Sequence, residues 1–251
     1  KIVNKYKAGL GFNYLKGYLG DTILNSSFKE FYQKNQLKII SSENFKKIIT
    51  AKTTKNLDWF FNDFLNTNKK IDHTIDAVIP EKDSLKVVLR NKRNITTPLA
   101  LYALKDGEIK LKKWVETVDS IKTVKIINND FDKLVLNYEN LYPEYNTLDN
   151  WKSVKKKLFN KPIKFTFYTD IEAPEYHQLF YEPNVDYNFY NGLILGAKLN
   201  NKPILKRNLE FNIAPAYAIK SNSINGNFSI KYNQFFEKTK IYKITYGISG
   251  N

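Results

Sequence analysis

Two histidines, His73 and His177, are the only imidazoles in the 251-residue chain, and there is no cysteine. A catalytic zinc usually takes three protein ligands drawn from His, Cys and carboxylate. His73 stands between Asp72 and Asp76, and His177 follows Glu172 and Glu175. Either could offer one imidazole and nearby acids to a cation, but neither has the ligand count such sites require. A surface histidine beside acids is the commoner meaning. Gly9 and Gly11 lie inside a helical pattern with no Gly-Lys-Ser/Thr after them, so no phosphate loop is present. No serine sits between glycines at nucleophile-elbow spacing, and no pair of carboxylates stands out for acid–base work. Taken residue by residue, the chain carries no complete active site.

Composition narrows the partners. Lys and Arg total 40 against 25 Asp and Glu, a formal charge of +15. Only Arg90, Arg93 and Arg207 are arginine, the residue whose bidentate fork reads phosphates and bases. The lysines are scattered, apart from Lys155-Lys156-Lys157, which is the pattern of a solvated basic surface. Nucleic acid is therefore not an expected partner. With 42% hydrophobic and 15% aromatic residues the chain can build real cores and is not disordered. The lack of cysteine leaves the redox compartment unread. No run of ~18 apolar residues exists to make a transmembrane helix. The start, Lys-Ile-Val-Asn, has neither Met nor a signal core and reads as a cut from something longer.

The elements that would position any chemistry fall into zones. Over residues 1–70 the period is helical. Tyr6, Leu10, Tyr14 and Tyr18 recur every four positions, and Gly20-Asp21 separates this helix from one bearing Ile23, Leu24, Phe28, Phe31 and Tyr32. Ser41-Ser42 opens a third with Phe45, Ile48 and Ile49; a fourth carries Leu57, Phe60, Phe61, Phe64 and Leu65. From about 71 the period becomes two. Short runs at Thr74–Ile79, Leu85–Arg90, Leu99–Leu104, Glu108–Val115, Ile121–Ile127 and Lys133–Tyr138 suggest an antiparallel sandwich over 71–142. Residues 143–162 read as a linker with a short helix, Trp151–Phe159, whose Trp packs on a neighbour and whose lysine face could rest on an anionic membrane.

The zone 163–251 has the longest alternation. Leu209–Lys220 alternates large with small or polar residues, as do the runs around Phe228–Asn233 and Tyr242–Ile248; Asp186–Leu199 reads as another long run. Strands of about 10 residues with apolar outward positions suit a bilayer, which needs ~9–11 residues per strand. A long-stranded soluble sheet gives the same pattern, so both stay open at this point.

Four segments, taken in order, resemble the aminopeptidase N-like gluzincin metallopeptidases. The first is Tyr6-Lys7-Ala8-Gly9-Leu10-Gly11-Phe12-Asn13-Tyr14-Leu15 followed by Tyr18-Leu19-Gly20-Asp21. The second is Phe28 to Tyr32, the third Ser42-Glu43-Asn44-Phe45, and the fourth Leu57-Asp58-Trp59-Phe60-Phe61 with Phe64-Leu65. Lys7-Ala8 stands where many members have Glu-Lys, and Phe64 where Trp is usual. The resemblance implies zinc held by the two His of a His-Glu-x-x-His and a later Glu, with the motif's Glu as general base. All of these would be supplied by residues outside this chain. It implies that Tyr6 is the catalytic tyrosine that donates to the oxyanion, that the substrate is a peptide, and that the chain alone is inactive.

More loosely, the region from Asn150-Trp151-Lys152 through Pro162 into the later strands resembles bacterial members that append a β-sandwich and an outer-membrane β-barrel. The layout implied is α+β and multi-domain. A helical tail of a thermolysin-like catalytic domain (1–70) would precede an antiparallel β-sandwich (71–142), the linker (143–162) and long antiparallel strands of an incomplete β-barrel (163–251). The location implied is the bacterial cell envelope, at the outer membrane. The alternative is a non-catalytic envelope-binding or secretion-associated β-module.

Overall fold

The computed structural model describes residues 2–116, 118–155, 158–204, 207–236 and 239–251. The chain divides into two compact units, Lys1–Asn160 and Lys161–Asn251.

The first unit opens with three α-helices, α1 (Ile2–Leu19), α2 (Asp21–Asn35) and α3 (Ser42–Thr50). Gly20 breaks α1 from α2 at φ 90°, a backbone state that only glycine adopts without strain. Ser41 starts α3 through a reciprocal capping box, in which Asn44 Oδ1 accepts the Ser41 backbone N–H at 2.9 Å. Trp59–Leu65 then winds as a π-helix. Trp59, Phe60 and Phe61 are consecutive and all buried, along with Phe64. The segment is thus apolar and enclosed over most of its circumference.

Seven strands follow: β1 (His73–Pro80), β2 (Ser84–Asn91), β3 (Leu99–Lys105), β4 (Glu108–Val115), β5 (Ile121–Ile127), β6 (Lys133–Leu136) and β7 (Trp151–Ser153). They pair antiparallel as a three-stranded sheet, β1-β2-β5, and a four-stranded sheet, β4-β3-β6-β7. β3 lies inside the second sheet, and Leu99 through Leu104 are all buried. The second unit is one open six-stranded sheet in the order β13-β12-β11-β10-β9-β8. Its strands are β8 (Ile163–Phe167), β9 (His177–Asn188), β10 (Gly192–Asn200), β11 (Leu209–Ala218), β12 (Ser223–Phe235) and β13 (Lys243–Gly250).

The expected architecture is overturned. Strand accounts for 43% of the chain and helix for 19%, and among the described residues no barrel closes. The layout of a helical tail followed by a separate sandwich is not what forms. One continuous hydrophobic core runs through the helices and both small sheets, joining Tyr14, Trp59 and Phe60 to Leu85, Leu101 and Val135. The reason is aromatic: Tyr14 meets Trp59 at 4.6 Å and Tyr142 at 4.3 Å between ring centroids, and Tyr18 meets Trp114 at 5.2 Å. Such large rings bury enough area to weld helix to sheet.

The incomplete antiparallel barrel is likewise replaced by an open sheet, whose edge strand β8 pairs in parallel with β9. Two local readings also change. Asp186–Leu199 is not one strand: it contains a hairpin turn between Asn188 and Gly192, where Gly192 has φ 66°. Trp151–Ser153 is a strand on β6, not the start of a helix; Lys156 and Lys157 of the expected lysine face lie outside the described residues.

Candidate functional site

α1 has two different faces. On one, Gly11 lies against the π-helix, where an added Cβ would come 2.8 Å from Phe64 Cε1 and 3.0 Å from Phe60 Cε2. Tyr14, Leu15 and Tyr18 continue this buried face. The other face carries Tyr6, 72% exposed, with Leu10 also exposed. Gly9, one turn along from Tyr6, has nothing within 4 Å of where a Cβ would stand. The result is a phenol on a helix that is fixed from behind and bare in front.

What fixes it comes from four stretches of chain. The Phe12 ring lies 5.0 Å from that of Phe28, 5.8 Å from Phe45 and 6.2 Å from Phe60. Phe28 and Phe45 stack at 5.0 Å. Lys7, beside Tyr6, folds back to donate to the Thr67 carbonyl and sits 5.6 Å over the Phe64 ring; burial lowers its ammonium pKa. That contact draws the cation away from the Tyr6 side of the helix.

His73 is in a different setting from the surface position expected of it. It is fully buried, and so is the Glu144 side chain 3.7 Å from its Nδ1. Glu144 Oε1 accepts the His73 backbone N–H at 3.1 Å, and Oε2 accepts Asn150 Nδ2 at 2.6 Å. Asn137 Nδ2 adds a longer contact of 3.4 Å. Neither His73 ring nitrogen has a hydrogen-bond partner among the described residues.

The two aspartates flanking His73 are used elsewhere. Asp76 pairs with Arg90, and Asp72 Oδ2 lies 3.4 Å from Arg93 Nε. Burial raises the Asp72 carboxyl above its ordinary range, with Asp149 pushing the same way and Lys92 and Arg93 opposing. The Glu144 network was not signalled in the sequence, since its members are separated by up to 77 positions and no motif joins them.

His177 opens β9, donating its backbone N–H to the Pro162 carbonyl at 2.8 Å, while Glu172 pairs with Arg207 at 3.3 Å. The acids near it in sequence thus do not gather into a ligand set. Among the described residues no three His, Cys, Asp or Glu side chains converge as a metal site would require. The described residues do not by themselves supply a ligand set that fits zinc.

No family model and no curated protein matches the chain. Among solved structures, Legionella pneumophila aminopeptidase A, determined in complex with aspartic acid, is similar at a TM-score of 0.47 and 16% identity. The alignment covers 55% of this chain and 17% of that one, so the chain spans under one fifth of the length of its structural neighbour. The likeness is weak and concerns the fold alone.

Proposed function

We propose that this chain is part of a zinc-dependent peptidase of the aminopeptidase type, which hydrolyses peptide bonds with zinc ligands and general base supplied from outside these 251 residues. The observation that supports it best is the Phe12 cluster. One ring from each of the four motif segments meets there, so segments that resemble the gluzincins in order also pack as one unit. That unit holds α1 rigid beneath Tyr6.

In this reading Tyr6 is the oxyanion donor. A phenol O–H donates one hydrogen bond where negative charge develops on the scissile carbonyl oxygen. The helix supplies pre-organisation, and the bare surface at Gly9 leaves room for the substrate's backbone. Zinc, when held by the outside residues, supplies polarisation of the carbonyl and activation of water.

The test is Tyr6→Phe in the longer protein that carries this chain. Loss of one oxyanion donor lowers kcat by about 10²–10³ with little change in KM. Because Tyr6 is exposed, the fold is expected to be unaffected. An unchanged kcat removes Tyr6 from the mechanism. Peptidase activity from the 251 residues alone would refute the placement of the zinc ligands elsewhere.

One observation favours a second reading, a non-catalytic envelope-binding module whose partner is the bacterial outer membrane. The six-stranded sheet carries most of its large apolar residues on one exposed face. Leu209, Tyr232 and Tyr246 lie side by side across β11, β12 and β13, as do Phe211, Ile230 and Ile248. All but Phe211 are more than 40% exposed. Exposed apolar surface on this scale usually marks an interaction face. Under this reading the isolated chain aggregates in buffer and becomes monodisperse in detergent; a monodisperse chain without detergent refutes it.

A further inference from the structure

The other face of the same sheet has a small buried apolar patch at Ile194, Ala216 and Ala218 and, beside it, a polar region that holds a cavity of about 450 Å³ within the second unit. It is walled by Glu182 of β9, Lys198 and Asn200 of β10, Asn212 of β11 and Lys231 of β12, with Tyr168 at the rim. Asn200 and Asn212 stand opposite one another in register, and Asn212 stands opposite Ser229. A row of amide and hydroxyl groups therefore crosses the cavity floor.

Three features distinguish it from a solvated polar surface. First, Asn212 Oδ1 is buried without a hydrogen-bond partner among the described residues, leaving an acceptor turned away from bulk water and unused. Second, the carboxylates are already engaged. Glu182 Oε1 lies 2.5 Å from Lys198 Nζ, and Glu210 Oε1 accepts from Asn233 Nδ2 at 3.0 Å. Lys231 forms no ion pair among the described residues, so the cavity has a cation to spare although Glu210 stands opposite it in register. Third, Tyr168 has φ 66°, an unfavourable backbone state for a large side chain, while its ring is 64% exposed at the rim.

A spare ammonium calls for an anion. An unpaired amide acceptor and a neighbouring hydroxyl call for O–H groups on the same molecule, and an exposed ring suits a flat, partly apolar face. These demands meet in a sugar that bears a carboxylate. We infer that the cavity on the polar face of the six-stranded sheet binds an acidic saccharide, with its carboxylate on Lys231, its hydroxyls on Asn212 and Ser229, and its ring against Tyr168. The site is independent of Tyr6 and of the peptidase reading.

The test is calorimetric titration of the full 251-residue chain, kept in a detergent without a sugar headgroup. The probes are trigalacturonate, the neutral maltotriose, and inorganic phosphate. Trigalacturonate is expected to bind at least tenfold more tightly than maltotriose. Lys231→Ala weakens it at least tenfold, Lys231→Arg retains it, and Asn212→Leu weakens it with circular dichroism unchanged. Phosphate competes poorly. The inference is overturned if trigalacturonate does not bind, if Lys231→Ala leaves its affinity unchanged, or if maltotriose binds as well. It is equally overturned if phosphate displaces trigalacturonate on equal terms, since the site would then be one for a bare anion.

Discussion

Gly9 and Gly11 lie two positions apart in the same helix, and replacing each by alanine should move stability in opposite directions. In a helix interior glycine is about 0.8–1 kcal/mol less favourable than alanine. At Gly9 the new methyl meets nothing within 4 Å, so that gain is realised in full. At Gly11 the methyl would stand 2.8 Å from Phe64 Cε1 and 3.0 Å from Phe60 Cε2. These are tips of rings that are themselves buried and stacked, with centroids 5.9 Å apart, so they have little room to yield. Overpacking of that kind costs about 1–3 kcal/mol, which outweighs the propensity gain and leaves a net loss of about 1 kcal/mol.

The two variants should thus differ by about 2 kcal/mol. All three tryptophans, Trp59, Trp114 and Trp151, belong to the first unit, so tryptophan fluorescence in urea reports that unit's unfolding. With a slope of roughly 2 kcal/mol per M, the midpoints should separate by about 1 M. A Gly11→Ala protein as stable as Gly9→Ala would refute the packing of α1 on the π-helix. Gly9→Ala carries a second message: if substrate backbone approaches there, the stabilised variant of the longer protein should lose peptidase activity.

Glu144→Ala should destabilise the first unit by about 3 kcal/mol or more, because the His73 N–H and the Asn150 amide lose a buried acceptor. The same urea titration checks it, and a change under 1 kcal/mol would remove the network from the stabilising set. Glu30 provides the pH dependence. Hydrogen bonds from Lys34 and then Lys52 hold its carboxyl down to about 2. A depressed folded-state pKa contributes stability that is present above the unfolded value, near 4.3, and is lost as pH falls toward 2. The stability difference between the wild type and Glu30→Gln should therefore be present at pH 7, fall to a small remainder near pH 2 and be gone below it. A difference undiminished at pH 2 would mean that the Lys34 and Lys52 contacts of Glu30 are not its source.

Much of the local structure was legible because it depends on near neighbours. The repeat of Tyr6, Leu10, Tyr14 and Tyr18 marks α1, Gly20 marks its end, and Ser41-Ser42 marks the start of α3, since capping and period act within a few residues. Alternation located the strands from β1 to β6 for the same reason. The turn between β9 and β10 was less legible. The signal is there in Asn191-Gly192, a hairpin-turn pair, and in Asn188, whose Oδ1 accepts the Tyr190 and Asn191 N–H groups, but the aromatic Phe189-Tyr190 between them lets the stretch pass for one long strand. Trp151 has an apolar neighbour pattern that fits helix or strand, and pairing with Val135 decided for strand.

The sequence by itself determined the chemistry available: two separated histidines, no thiol, a tyrosine on a helix whose motifs occur in a set order, and long strands that alternate apolar with polar. Tertiary structure decided the rest, because burial and distance depend on which distant segments meet. It buried His73 against Glu144, 71 positions away, and joined the helices to both small sheets through Tyr14, Trp59, Trp114 and Tyr142. It left the long strands as an open sheet with its apolar side exposed, and gathered Asn212, Ser229 and Lys231 around one cavity. Alternation tells which residues share a face of a strand; only the packing of the whole sheet tells which face meets solvent.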